Sequence, residues 1–154
     1  MIKVSFVPRM EAIKVWDITG PMIERALKYN EGRLDIADIY ANILTDKMGL
    51  WVAFDTEDKK IIGCAVTIVY DATKCRICSI EYLAGDNIDD WIDEGDKVMN
   101  NYAFEQKCDF LEGRGRSGWT PRLKKLGYTS KAIFFEKTVK PVGTTEDDTM
   151  KETE

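Results

Sequence analysis

The stretch KIIGCAVTIVYD, residues 60–71, limits the possible folds of this chain more than any other segment. It is almost continuously apolar and rich in β-branched residues, which is typical of a central strand that is covered on both faces. The similar run LWVAFD precedes it, and the connection TEDK between them predicts an antiparallel hairpin. A sheet with such a strand at its centre needs a packing layer on each side. The chain must therefore supply helices for both faces.

Helical patterns occur on both sides of this hairpin in the sequence. Upstream, a short helix is predicted to stop at the TGP of residues 19–21, and two amphipathic helices follow it. Downstream, residues 88–103 carry apolar side chains at steps of three and four, which predicts a long helix. Further strands are predicted at residues 3–8, 75–84, 109–113 and 131–139, with a short helix at residues 121–126. This order indicates the α/β class with an α+β mixed sheet: a central, mostly antiparallel sheet flanked by helices on both faces.

The length and charge of the chain limit the number of domains and the kinds of partner that it can have. Its 154 residues, 44% of them hydrophobic, suffice for one ordinary core. We predict a single domain at residues 3–139 and an acidic tail at residues 140–154, which has no core-forming pattern. Without a long apolar run or a secretory leader pattern, the protein is expected to be soluble and cytoplasmic, with no membrane partner. The net charge of −5 argues against a nucleic-acid partner.

The chain contains no histidine. This excludes His-based triads and imidazole metal ligands, so that Glu, Asp, Tyr, Lys and Cys remain as proton carriers. Cys75 and Cys78 have the spacing of a zinc knuckle, but residues three apart on a strand point to opposite faces, and no second pair completes the ligand set. The acidic residues between positions 86 and 96 follow a helical period instead of a calcium-binding loop. The sequence therefore predicts no metal site.

Two other features are open to more than one interpretation. Residues 113–118 match G-x-G-x-x-G, but the helix that follows is too short for a dinucleotide-binding unit, so a tight corner is predicted. Arg114 and Arg116 in this corner either bind an anion or form a solvated basic turn. Glu81 lies in a strand that should be largely buried. It either reaches a cleft, where desolvation raises its pKa toward that of a general base, or lies at an edge in water.

The ending FLEGRGRSGWTPRLKKLGYTSKAIFFEK, residues 110–137, with the strands and long helix before it, resembles the GNAT N-acetyltransferase superfamily. The resemblance is greatest to the small acetyltransferase-like proteins of bacteriophages. In those proteins, too, a strand leads through a G-R-x-G-W-like turn into a short helix, then L-G-Y or L-G-F, then a strand that ends near E-K. The resemblance covers about residues 3–139 in element order and is specific mainly in residues 108–137.

The resemblance implies an N-acetyltransferase that moves an acetyl group from acetyl-CoA to a small-molecule or protein amine, without a metal. Glu81 would deprotonate the amine, and Tyr128 would protonate the leaving thiolate. Backbone amides near Tyr82 and Leu83 would bind the thioester carbonyl. The cofactor-binding residues implied in this way are Tyr82, Leu83, Gly85, Arg114 and Arg116.

Two departures from the family pattern keep a second function open. The pyrophosphate signature R/Q-x-x-G-x-G/A is replaced by LAGDNIDDW, residues 83–91, whose acids stabilise a helix start but repel a phosphate. The usual general-acid tyrosine corresponds to Leu123. The alternative is a non-catalytic GNAT-fold virion component or host-interaction protein, located in the virion or in the host cytoplasm. A third, weaker alternative is an acidic inhibitor of a host enzyme.

Overall fold

A computed structural model describes residues 1–28, 33–115 and 117–143. Within these ranges one five-stranded sheet has the order β1 to β5, formed by β1 (Ile2–Val7), β2 (Gly49–Asp55), β3 (Lys60–Asp71), β4 (Arg76–Gly85) and β5 (Phe110–Gly113). The helices are α1 (Arg9–Leu27), α2 (Ile36–Leu44), α3 (Ile88–Glu105) and α4 (Thr120–Lys125), with a 3-10 turn at Ser117–Trp119. Strands β1 to β4 pair antiparallel, whereas β4 and β5 are parallel and joined through α3. The predicted mixed, mostly antiparallel α/β fold is confirmed.

Alternate residues along the strands pack against different helices. Leu50 and Val66 are buried in one cluster with residues of α1 and α2. Trp51 and Ala65, one position away in each strand, are buried in a second cluster with Trp91 of α3. Burying one large apolar side chain contributes about 1.5–3 kcal/mol, so both clusters stabilise the sheet substantially. Strand β3 is thus covered on both faces, as its apolar sequence predicts.

Helix α1 is continuous, so the predicted break at residues 19–21 is wrong. A proline inside a helix removes a hydrogen bond and costs about 3 kcal/mol. The helix nevertheless continues through Pro21 because Ala12 before it and Ile23 after it are both fully buried in the same cluster. Gly20 also fits the packing, since a Cβ there would lie 3.1 Å from the Trp16 ring. Tertiary packing therefore outweighs the local break signal.

The predicted last strand, residues 131–139, is not formed in the described part of the chain. Ile133 and Phe135 are 79% and 87% exposed. The segment is held by side chains instead of a backbone ladder, because Arg33 donates to Glu136 at 2.6 Å. The apolar pattern is typical of a strand, but pairing also needs an available sheet edge in the right place. Most of the predicted acidic tail, residues 144–154, lies outside the described residues.

The sheet opens between β4 and β5. Strand β5 pairs with β4 only as far as Ile80, which is opposite Gly113. Strand β4 continues along β3 to Gly85. Among the described residues, residues 82–85 therefore pair with β3 and have no second strand beside them. Their backbone groups on the β5 side are available to a ligand, and we call this opening the β4–β5 junction.

Candidate functional site

Glu81 is the extra residue of a β-bulge at the β4–β5 junction. Val66 of β3 is opposite Tyr82 and Thr67 is opposite Ile80, so Glu81 has no opposing residue in the β3–β4 register. Bulges interrupt the regular alternation of side chains and are frequent beside active sites. This bulge falls at the residue where β4 separates from β5. A carboxylate is thereby placed where the sheet is open.

The Glu81 carboxylate is half-buried and surrounded by polar groups. The Ser79 hydroxyl donates to its Oε2 at 3.4 Å. Burial raises the pKa of Glu81; the Ser79 hydrogen bond and the charge of Arg114 oppose this, and the charge of Glu112 adds to it. The net direction is upward. A half-buried carboxylate at an opening of the sheet matches the cleft interpretation of Glu81 more closely than the edge interpretation, and the upward pKa shift is in the direction that a general base at this place would need.

A second carboxylate, Glu112 of β5, is coupled to the same place. The Tyr70 hydroxyl donates to Glu112 Oε1 at 2.5 Å. This hydrogen bond is the main cause that raises the pKa of Tyr70 to about 12, and the charges of Glu81 and Arg114 also act on Tyr70. We call the five interacting side chains the junction cluster: Tyr70, Ser79, Glu81, Glu112 and Arg114.

Arg114 follows β5 directly and belongs to this cluster. Its guanidinium lies 5.0 Å from the centre of the Phe134 ring, and that of Arg33 lies 5.3 Å from the same ring. Such cation–π contacts contribute about 0.5–2 kcal/mol, depending on how far they are desolvated. The structure places the charge of Arg114 within range of Glu81. Arg116, the other arginine predicted to bind the cofactor, lies outside the described residues.

A separate cleft of about 470 Å³ lies at the start of α3, lined by Ile88, Gly118, Trp119 and Arg122. The first turn of α3 carries Asp89 and Asp90, as the sequence indicates. Arg122 of α4 forms an ion pair with Asp89, with Nε 2.6 Å from Oδ1. Its guanidinium also lies 5.0 Å from the centre of the Trp119 ring. A cation therefore offsets part of the negative charge at this helix start.

Gly85, which was predicted to bind the cofactor, allows the backbones of β3 and β4 to approach closely. It has φ +131, and a Cβ there would lie 2.3 Å from the Cα of Gly63 and 2.4 Å from the carbonyl oxygen of Ile62. The backbones of β3 and β4 approach closely here before the chain turns into α3. The side chains of Tyr82 and Leu83 pack against the two hydrophobic clusters, so that these residues offer a ligand mainly their backbone groups.

Tyr128 lies against α3. Its hydroxyl donates to Asp96 Oδ1 at 2.7 Å. Burial, followed by this hydrogen bond, raises the pKa of Tyr128, so the hydroxyl keeps its proton at neutral pH. The structure thus brings Glu81 and Arg114 together in the junction cluster. The hydroxyl of Tyr128, the other residue predicted to be catalytic, lies instead against Asp96 of α3.

Four further polar or charged side chains of these two places were not predicted from the sequence: Tyr70, Ser79, Glu112 and Arg122. Ser79 and Glu81 are two apart on one strand, a spacing that indicates a shared face and could have identified Ser79. The positions of the other three depend on contacts between distant segments, for which a single sequence has no local signal. In the part of the chain that the structure describes, no cluster of three or more acidic, Cys or His side chains is suited to hold a metal ion. No described helix has the length and apolar character needed to cross a membrane.

Comparisons with known proteins identify the fold. No protein-family model matches the chain, and no curated protein sequence does. Solved structures match it over most of its length. A probable acetyltransferase has a TM-score of 0.65 at 10% identity, covering 94% of this chain and 99% of that one. An aminoglycoside acetyltransferase from an uncultured soil metagenomic sample, in complex with sisomicin, has a TM-score of 0.63 at 15% identity, covering 90% and 97%.

Glucosamine-6-phosphate N-acetyltransferase from Arabidopsis thaliana has a TM-score of 0.62 at 14% identity, covering 91% of this chain and 99% of that one. At these identities the similarity establishes the fold alone. The chain has the mixed α/β fold of the GNAT acetyltransferases.

Proposed function

We propose that this protein is an N-acetyltransferase that moves an acetyl group from acetyl-CoA to an amine. The observation that carries the proposal is Glu81: a half-buried carboxylate with a raised pKa, in a bulge where β4 leaves β5. The GNAT fold supports it, because two structural neighbours are an aminoglycoside acetyltransferase and a glucosamine-6-phosphate N-acetyltransferase. Both of these enzymes act on amines.

The residues of the junction account for the proton and charge movements of this reaction. Bound acetyl-CoA supplies an activated thioester, whose C–S bond breaks as the C–N bond to the amine forms. Glu81 takes the proton that the amine nitrogen loses, directly or through a water. Backbone N–H groups near Tyr82 and Leu83, on the side of β4 without β5, are proposed to stabilise the carbonyl oxygen as it gains charge. The leaving thiolate takes up one proton, for which Tyr128 is the proposed donor.

The cleft at the start of α3 fits a phosphate-bearing group through Arg122. Asp89 and Asp90 would repel a pyrophosphate on their own. Arg122, 39% exposed, forms an ion pair with Asp89 and retains further N–H donors. It lies on α4, whereas the family signature supplies its contacts from the loop before the long helix. Arg122 is therefore the residue proposed to compensate for the missing signature.

Replacing Arg122 with glutamine is expected to raise the KM for acetyl-CoA by about 10- to 100-fold, because a charge-assisted hydrogen bond is lost. The kcat should change little, since Arg122 contacts Asp89 and Trp119, neither of which belongs to the junction cluster. Lys124→Gln, on the same helix but outside the cleft lining, serves as the charge-matched control. Equal KM values in the two variants would remove Arg122 from the cofactor site. Steady-state kinetics with acetyl-CoA as the varied substrate measures this.

Replacing Tyr128 with phenylalanine is expected to lower kcat by about 100-fold if its hydroxyl protonates the thiolate. The raised pKa keeps the hydroxyl protonated, as a proton donor requires, but the hydroxyl must leave Asp96 to act. Asp96→Asn is the control, because it weakens the hydrogen bond and keeps the hydroxyl. A Tyr128→Phe variant with a lower Tm and an unchanged kcat would show a structural role only.

A second candidate is a non-catalytic protein with the GNAT fold, acting as a virion component or host-interaction protein. The acidic first turn of α3 favours it, since Asp89 and Asp90 occupy the place where a pyrophosphate would bind. The virion and bacteriophage parts of this candidate rest on the sequence resemblance alone. Titration calorimetry with acetyl-CoA separates the two functions. Micromolar binding supports the enzyme, and no heat at millimolar ligand supports the binding protein.

A further inference from the structure

Arg114 of the junction cluster donates no hydrogen bond to another described residue. Its guanidinium contacts the Phe134 ring by a cation–π interaction, which uses the face of the guanidinium and none of its five N–H groups. Elsewhere Arg33 pairs with Glu136 and Arg122 with Asp89. Within residues 1–28, 33–115 and 117–143, Arg114 has no carboxylate partner and is exposed. It is thus a positioned cation whose donors are free.

The charge of Arg114 acts on the proposed general base. Ile80 is opposite Gly113 in the β4–β5 register, so Glu81 and Arg114 are the next residues of two adjacent segments. In agreement with this placement, the charge of Arg114 lowers the pKa of Glu81 against the larger effect of burial, and it also acts on Tyr70 of β3. The junction therefore presents a carboxylate and, beside it, a guanidinium. The complementary ligand has an ammonium group with an anion attached nearby.

We propose that the acceptor is an amine that carries an anionic group, a carboxylate or a phosphate, and that Arg114 binds this group. The proposal rests on the N-acetyltransferase function. A planar guanidinium binds carboxylate and phosphate oxygens through two parallel hydrogen bonds, which fixes the orientation of the ligand as well as its charge. With the anion on Arg114, the amine nitrogen is directed toward Glu81.

A dicationic amine fits this arrangement less well. The second carboxylate of the cluster, Glu112, already accepts the Tyr70 hydroxyl. A second ammonium group near it would also approach the positive charge of Arg114, which is repulsive. The structure therefore favours an acceptor with opposite charges over one with two positive charges.

Paired acceptors test the inference. Initial rates are measured for α-amino acids against their amides, and for amino-sugar phosphates against the parent amino sugars. For the pair that matches the site, the anionic member is expected to have a kcat/KM about 10- to 100-fold higher, which is the effect of a charge-assisted hydrogen bond. Whichever pair shows the larger ratio identifies carboxylate or phosphate as the recognised anion.

Arg114→Gln should remove this preference by raising the KM of the anionic member. Removing the charge of Arg114 also raises the pKa of Glu81, but this acts on both members of a pair alike, so the ratio of their kcat/KM values isolates the contact with the anion. Arg114→Lys should restore part of the preference. Arg122→Gln is the matched control, because it should alter the KM for acetyl-CoA and leave the preference intact. A general loss of folding in Arg114→Gln would instead lower the apparent kcat for both members by the same factor and leave their KM values unchanged, and the wild-type ratios still decide.

Three results would overturn the inference. If wild type uses both members of each pair equally, or prefers a diamine to both, the proposed acetyl transfer is retained, but Arg114 does not bind an anionic group of the acceptor. If acetyl-CoA binds by calorimetry but Arg114→Gln keeps the full preference, the anion is bound elsewhere. If acetyl-CoA does not bind at all, the proposed enzyme fails and the acceptor class fails with it.

Discussion

Replacing Glu81 with glutamine is expected to abolish acetyl transfer and to leave the fold intact. Glutamine keeps the size of the side chain but cannot accept the amine proton, and loss of a general base lowers rates by about 10²- to 10⁴-fold. For wild type, kcat/KM should fall as the pH is lowered through the raised pKa of Glu81. Steady-state kinetics across pH measures both effects. Glu105→Gln, at the exposed end of α3, is the charge-matched control.

The same substitution should leave Tm at pH 7 equal to or above that of wild type. The pKa of Glu81 is higher in the folded than in the unfolded protein, so the ionised side chain opposes folding. This cost is absent at pH values below the pKa of Glu81 in the unfolded protein, near 4.5. It develops as the pH rises through the higher pKa of the folded protein. Glutamine removes it, so the two proteins should converge in Tm at low pH. A Glu81→Gln variant with full turnover would contradict the assigned base.

Replacing Gly85 with alanine is expected to destabilise the protein by about 2–5 kcal/mol. An alanine must adopt φ +131, which costs about 1–3 kcal/mol, and its Cβ meets the backbone of β3 at 2.3 and 2.4 Å. Because these neighbours are backbone atoms, the strands must move apart to relieve the contact. Denaturant unfolding monitored by tryptophan fluorescence measures the change in the free energy of unfolding.

Gly118→Ala is the control for this substitution, since a Cβ at Gly118 meets nothing within 4 Å. It should lie within about 0.5 kcal/mol of wild type, the usual range for a surface change. A Gly85→Ala protein of normal stability that no longer binds acetyl-CoA would reverse the interpretation. Gly85 would then serve the cofactor site directly and not the close approach of β3 and β4.

The parts of the fold that were predicted correctly have strong local patterns. The β2–β3 hairpin follows from two apolar runs around a turn, and α3 from an apolar face at steps of three and four. The polar residue Glu81 in an otherwise buried strand was likewise visible in the sequence. Each of these patterns lies within a single segment, where periodicity is sufficient.

The errors and omissions have non-local causes. The break at Pro21 was predicted from a strong local signal, but core packing on both sides of it keeps α1 continuous. The strand predicted at residues 131–139 has the right pattern and no pairing in the structure. The bulge at Glu81 is a property of the β3–β4 register, and the approach of Arg122 to Asp89 joins two helices. No pattern in a single sequence indicates either the bulge or this ion pair.

The parallel pair β4–β5 also has a consequence for how easily the junction cluster comes apart. Strands β2, β3 and β4 are joined by short turns, whereas β5 reaches β4 only after all of α3, so its pairing closes a longer loop and carries a larger entropic cost. As an edge strand of four residues, β5 is also weakly held. Glu81 belongs to the antiparallel strands β2 to β4, whereas Glu112 and Arg114 are brought to it by β5. Opening of this one edge would separate Glu81 from both charges, so we expect the proposed activity to be lost under milder conditions than those that unfold the core.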